Sequence, residues 1–243
     1  MKTKEIPPVD EFEGQIGKSF EILRRTAKLV KETRDVSTFP IVLAGNCMST
    51  VSINAAFGDV KELGCVCFDI HDDFATPSTT ISGYLDGCGV AIMACWTFHR
   101  LVNTIPSHGP FDLKQFVYCG VRDVDEVELQ RVTEARIEAV WEDVNKRADI
   151  KTGLRKSIEN TSFREVMVHF DVDVLDISLG RANDFSAPGG LLEGGVFMCM
   201  EEVATKTQPL SLTIASFNLH LGGKESVSNI AIRIIKEVLK LLM

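Results

Sequence analysis

"FDIHDDF", residues 68–74, ends the apolar run "GCVC" with Asp69, His71 and Asp73 at alternate positions. In an extended strand, side chains alternate between faces, so residues two apart point together. Two carboxylates and an imidazole converging at a strand end repel or stay unsatisfied unless a cation sits between them. A second stretch, "HFDVDVLD" at 169–176, repeats the device, with Asp171 and Asp173 again two apart behind the apolar run "VMVHF". Taken alone, an Asp at a strand end is a turn or cap residue, and DxD is a weak signal. Two such clusters on separate strand ends supply oxygen-rich ligation for a pair of hard divalent ions. Two metals about 3.5–4 Å apart can share a bridging hydroxide as nucleophile.

Working outward, "FPIVLAG" (39–45), "LGCVCFDIH" (63–71), "KQFVYCGV" (114–121), "REVMVHFDVDVLD" (164–176) and "LSLTIASFN" (210–218) read as buried strands. Helical patterns lie between and around them, at 11–35, 49–60, 90–102, 125–148, 191–206 and 228–243. Ser49 or Thr50 is the expected N-cap of the second helix. The Thr-, Ser- and Gly-rich segment 72–89 reads as a loop. Strands alternating with helices predict a mainly parallel sheet covered on both faces, here one domain over 1–243. In such sheets, sites lie beyond the carboxyl ends of the strands, where both acidic clusters fall.

The 243 residues are 45% hydrophobic and 25% charged, with a formal net charge of -8. That balance argues against a nucleic-acid binder, which needs a basic face. The seven cysteines are scattered, with no CxxC pair, and read as reduced, mostly buried thiols. The first residues, "MKTKEIPPVDEFEG", hold no apolar signal core, and no run approaches a membrane span. The expectation is a cytoplasmic protein that binds a small molecule and no membrane.

"DIHDD", then "SGYLDG" beginning thirteen residues after Asp69, then "GVRDVD" (120–125) and "HFDVDVLD…PGGL", resemble in this order the motifs of the ureohydrolases: arginase, agmatinase and formiminoglutamase. The resemblance covers residues from about 40 to 243. It implies a three-layer α/β/α sandwich around a parallel eight-stranded sheet, two Mn²⁺ ions, and hydrolysis of a C–N bond by a metal-bound hydroxide. By motif, Asp69 and Asp171 would bridge the metals, and His71 and Asp173 would complete one site. Asp73 would belong to the other, where the family's "GGDHS" supplies a histidine. About forty residues precede that strand here, where the family begins with a further strand–helix unit. The sheet is therefore expected to lack its first strand, and a homo-oligomer to cover the edge.

The departures from the family pattern are specific. The "GGDHS" stretch reads "AGNCM" (44–48), so Cys47 stands at the histidine position. A thiolate is softer than imidazole and favours Zn²⁺ or Fe²⁺ over Mn²⁺. Cys47 is an altered ligand, a nucleophile, or a buried thiol beside a weakened site. "SGYLDG" keeps Ser82 but places Tyr84 and Asp86 where arginases carry a substrate-binding asparagine and a proton-shuttling histidine. Asp86 becomes the candidate proton handler, with an unperturbed pKa several units below that of histidine. Ala75, Ser216 and Phe185 replace an asparagine, a guanidinium-holding glutamate and a threonine. Without that glutamate, a cationic guanidinium loses a charge-assisted hydrogen bond of about 1.5–3 kcal/mol. Arg122 and Asp125 remain; Asp125 resembles a residue that contacts the substrate's amino group, or is a cap. His169 reads as a packed strand histidine.

The first reading is a metal-dependent hydrolase acting on an amidine-like or amide C–N bond in a substrate other than arginine. Mn²⁺ is the first choice of metal, with Zn²⁺ or Fe²⁺ as alternatives because of Cys47. A non-hydrolytic biosynthetic enzyme using the metal as Lewis acid, and a non-catalytic subunit, are the alternatives.

Overall fold

The computed structural model describes residues 2–12, 14–142, 149–221 and 224–241. The first helix, α1 (Gly14–Asp35), buries Phe20, Leu23, Ala27 and Val30 along one stripe at helical spacing. It is followed by β1 (Ile41–Leu43), α2 (Ser49–Ala56) and β2 (Gly64–Phe68). After the long loop come α3 (Gly89–Met93), α4 (His99–Val102), β3 (Phe116–Val121), α5 (Glu126–Glu134) and β4 (Glu138–Trp141). The chain continues with α6 (Ile150–Glu159), β5 (Glu165–Asp171), α7 (Glu193–Lys206), β6 (Gln208–Ala215) and α8 (Lys224–Leu241).

The strands form one sheet in the order β1-β6-β5-β2-β3-β4, every neighbouring pair parallel. Strand β2 lies in its interior and is buried along its whole length. Its pleat divides the core: Cys65 and Cys67 join the apolar layer beneath α1–α5, while Val66 and Phe68 join the layer beneath α6–α8. The result is an α/β/α sandwich. Its sheet has six strands among the described residues, where the family resemblance implies eight. The described cysteines are all free thiols, and six of the seven are buried.

Three local expectations are corrected. Residues 90–102 do not form one helix: Cys95 (φ 59°) and Phe98 (φ 51°) take left-handed conformations between α3 and α4. The break turns Trp96 onto the ring of Phe74, 4.7 Å away, a tertiary contact that overrides local propensity. The pattern over 125–148 is likewise split. Helix α5 stops at Glu134, Arg136 takes φ 56°, and Glu138–Trp141 pairs with β3 as an edge strand. The rest of that expected helix, 143–148, lies outside the described residues. Finally, neither Ser49 nor Thr50 caps α2. The cap position is Met48, and the carboxylate that serves the helix start comes from Asp86 in the long loop.

Candidate metal centre

Strands β2 and β5 are neighbours with Phe68 opposite Phe170, so Asp69 and Asp171 leave the sheet side by side. The convergence at alternate positions does not come from the strand pleat. Strand β2 ends at Phe68, and Asp69 Oδ1 accepts the His71 backbone N–H at 2.8 Å. On the neighbouring strand, Asp171 Oδ1 accepts the Asp173 backbone N–H at the same 2.8 Å. Both clusters are therefore Asx turns, in which a carboxylate folds the chain back on itself two residues on. The first turn continues to Asp73 at φ 48°, left-handed backbone that an Asp tolerates better than most residues.

Cys47 arrives from the loop after β1 and reaches this pair. Its thiol lies 2.8 Å from Asp171 Oδ2, 3.5 Å from Asp69 Oδ2 and 3.1 Å from His169 Nε2. Ser216, in the loop after β6, places its Oγ 3.6 Å from the same sulfur. Two donor sets result, joined through Asp69: Cys47, Asp69, His169 and Asp171, and beside them Asp69, His71 and Asp173. Within each set the ligand atoms lie within 4.8 Å of one another. His71 Nδ1 is 3.5 Å from both Asp69 Oδ1 and Asp173 Oδ2, and its Nε2 is 3.8 Å from Asp123 Oδ2.

The electrostatics are those of a cluster short of positive charge. Burial, then the charges of Asp173 and Asp69, pushes the Asp171 carboxyl well above the usual carboxylate range. Asp73 is pushed the same way by burial and by Asp69, Asp86 and Asp171. Asp173 is raised to about 6, chiefly by burial and by Asp69, with His71 partly offsetting them. Burial opposes a charge on His71, but the hydrogen bond to Asp69 and the charges of Asp69, Asp173 and Asp123 outweigh it and raise it to about 9. Asp173 Oδ1 is buried and has no hydrogen-bond partner among the described residues. Such a group is costly unless a cation meets it, so the residues fit a divalent metal.

The clusters floor a cavity of about 840 Å³. At its mouth, Tyr84 stacks on Phe185 with centroids 5.8 Å apart and rings 20° from parallel, and Phe185 meets His71 edge-on at 6.2 Å. Ser82 and Ala75 also line the cavity, Ser82 with its hydroxyl occupied by the Tyr84 backbone N–H.

Other candidates hold structural positions. Asp125 caps α5 reciprocally with Glu128, each side chain accepting the other's backbone N–H. Arg122 donates to the carbonyls of Gly120, Asp173, Ala187 and Pro188, tying the loops behind the site together. Asp86 accepts from the Met48 and Cys47 backbone N–H groups. Three further residues belong to the site: His169, which its strand position alone marks as a packed histidine, and Asn183 and Asp72. His169 belongs to the Cys47 set, a placement hinted at by its position two before Asp171. Asn183 donates to Asp173 Oδ2 at 2.9 Å, and Asp72 is buried with its carboxyl raised to about 7 by burial and by Glu128. No sequence motif marks either of those two.

A parallel α/β sandwich with two carboxylate-rich donor sets at the carboxyl edge of its sheet defines a class of metal-dependent α/β enzymes. Residues 4–240 match the Arginase family, and the chain belongs to it. It is 30% identical over 226 residues to human arginase-1, covering 85% of this chain and 66% of that protein. It is 28% identical over 193 residues to an arginase of Glaciozyma antarctica, covering 74% of this chain and 54% of that protein. It thus spans between about half and two thirds of the length of these relatives. Among solved structures, it superposes on arginase from Bacillus subtilis with a TM-score of 0.87 at 20% identity, over 96% of this chain and 82% of that one. Proclavaminate amidino hydrolase from Streptomyces clavuligerus gives 0.70 at 19% identity, over 95% and 72%. The fold and an arginase-family hydrolase scaffold with a cluster able to hold a metal follow from these matches together with the geometry.

Proposed function

We propose that this protein is a metal-dependent hydrolase that cleaves a C–N bond in an amidine-like or amide substrate other than arginine. The observation that carries the reading is the pair of donor sets sharing Asp69 at the floor of an aromatic-mouthed cavity. Bound there, a divalent pair would supply Lewis acidity and an activated water at neutral pH. The chain's own residues do the rest. Asp69, Asp73, Asp171 and Asp173 concentrate negative charge that holds the cations, and Asp69 orients the turn carrying His71. Asp86, raised to about 6 by burial against the two backbone N–H groups it accepts, titrates close enough to neutrality to exchange a proton with the leaving amine. Tyr84 and Phe185 cover the floor with apolar surface and limit entry of bulk water.

The substrate preference follows from the walls. The described lining holds ten Asp or Glu residues and no Lys or Arg, which favours a cationic or neutral nitrogen centre. The free carboxylate of an amino acid finds no Lys or Arg partner in the described lining. Ser216 offers a hydroxyl where the family resemblance puts a carboxylate, which weakens the hold on a full guanidinium. The aromatic mouth also favours a second reading, a metal-assisted step without water addition on a less polar substrate.

The test is a mass-resolved screen of the metal-loaded protein against arginine, alkylguanidines, alkylamidines, formimino compounds and primary amides. Products heavier in sum by one water from a substrate other than arginine are expected. Arginine as the preferred substrate would overturn the proposal, and products of unchanged summed mass would select the second reading.

A further inference from the structure

Cys47 and His169 meet in the more buried of the two donor sets, and their hydrogen bonds define the state of the imidazole. The Thr50 hydroxyl donates its single proton to the Cys47 carbonyl at 2.9 Å. Towards His169 Nδ1, also at 2.9 Å, it is therefore the acceptor. Nδ1 then carries the ring proton, and Nε2 presents a lone pair to the Cys47 sulfur at 3.1 Å. That sulfur also faces Asp171 Oδ2 and Asp69 Oδ2. A thiol has one proton, and three acceptors converge on it. In the adjoining set, the buried Asp173 Oδ1 independently lacks any hydrogen-bond partner among the described residues. One cation per set resolves both shortages, and the two sets differ in chemistry. The first offers sulfur, imidazole nitrogen and carboxylate oxygen, whereas the second offers two carboxylates and one imidazole.

We propose that Cys47 and His169 ligate the same divalent ion, with Thr50 positioning His169, so that this site selects Zn²⁺ or Fe²⁺ while the Asp69–His71–Asp173 site remains suited to Mn²⁺. Mixed sulfur and nitrogen donors favour borderline metals, and oxygen-rich sets favour hard ones. The inference deepens the metal-centre reading but does not require that the reaction be hydrolytic.

The deciding experiment is zinc X-ray absorption on the full chain carrying one equivalent of Zn²⁺, which needs no turnover. One sulfur and one imidazole in the same metal shell are expected. His71 belongs to the other set, so the imidazole accompanying sulfur is that of His169. A shell with sulfur and no imidazole, or of oxygen and nitrogen without sulfur, overturns the proposal. Loading with Co²⁺ should give a thiolate-to-metal charge-transfer band that disappears in Cys47→Ser. Thr50→Val should weaken Zn²⁺ on the order of 10–100-fold in chelator competition while leaving Mn²⁺ binding within a factor of about two. Equal losses for the two metals would overturn the assignment of Thr50. Should the protein hydrolyse nothing while the sulfur–imidazole shell is present, the hydrolase reading fails and this one stands.

Discussion

The Asp86 carboxylate accepts the Met48 backbone N–H at 2.8 Å, and its other oxygen accepts that of Cys47 at 3.2 Å. A residue at the position of a family proton shuttle thereby caps α2 and fixes the peptide that carries Cys47. The two roles separate by substitution. In Asp86→Asn one carbonyl oxygen must serve both N–H groups, and the capping charge is gone. Asp86→Ala leaves both groups without an acceptor. Asp86→Ala is expected to lower unfolding stability by about 1.5–3 kcal/mol, and Asp86→Asn by less. Urea midpoints of the metal-free chain measure this. If Asp86 also moves a proton, Asp86→Asn loses turnover out of proportion to its stability. An Asp86→Asn variant with intact turnover would reduce the residue to a cap.

The pH dependence of the metal-free chain has a defined sign. Asp86 and Asp173 are raised to about 6 and Asp72 to about 7, and Asp73 and Asp171 are also displaced upward. Above the ordinary carboxylate range, the folded chain binds more protons than the unfolded one, so stability falls as pH rises through those values. His71, raised to about 9, adds stability that is complete below its ordinary value and is lost as pH climbs towards 9. His108 and His169, lowered to about 4 by burial, act oppositely, but only between about 4 and their ordinary value near 6.5. A thermal midpoint that declines between about pH 6.5 and 9 is therefore expected without metal. Added divalent ion should raise the midpoint most at the upper end of that window, because the ligands must be deprotonated to bind it. An equal increment at pH 5.5 and 8.5 would contradict the carboxylate-cluster account.

The way this site is built explains how much of it could be read in the letters. Apolar runs revealed five of the six described strands, and the two runs that end in Asp placed Asp69, His71, Asp171 and Asp173 at one edge. Strand β4 escaped because "EAVW" is short and continues the helical spacing of α5. The α3–α4 break depends on Trp96 meeting Phe74, 22 positions earlier in the chain, which no local pattern carries. Asp125 looked like a substrate contact or a cap, and Glu128 three residues later made the capping box legible. His169 could be placed only by packing, because its partners Thr50 and Cys47 come from the α2 region more than a hundred residues away.

The stacked pair at the mouth is exposed and adds little to the buried core, so a role in meeting substrate can be separated from one in stability. Phe185 is 54% exposed and Tyr84 45%, so truncating either removes little buried area. Phe185→Ala is expected to leave the thermal midpoint within about a degree while raising KM for an apolar substrate. The lost ring contact corresponds to about 0.5–1.5 kcal/mol, a factor of roughly 2–12. Steady-state kinetics with substrates graded in hydrophobicity measure it. An unchanged KM across the series would remove Tyr84 and Phe185 from the binding surface.

Asn183 connects that mouth to the metal floor. Its amide Nδ2 donates to Asp173 Oδ2, and its Oδ1 accepts the Phe185 backbone N–H, each at 2.9 Å. The side chain is buried, so water cannot easily replace either bond. Asn183→Ala leaves Asp173 Oδ2 with His71 Nδ1 at 3.5 Å, in a carboxylate whose other oxygen has no hydrogen-bond partner among the described residues, and it releases the turn that presents Phe185. Groups that orient metal ligands typically change affinity 10–100-fold when removed, and a loss on the order of 10-fold is expected here. Asn183→Asp should be worse than Asn183→Ala, because it places another negative charge against Asp173. Chelator competition on the two variants ranks them; Asn183→Asp binding metal more tightly than Asn183→Ala would show that the new carboxylate joins the ligand set, and that the amide's role is not to hold Asp173 in place.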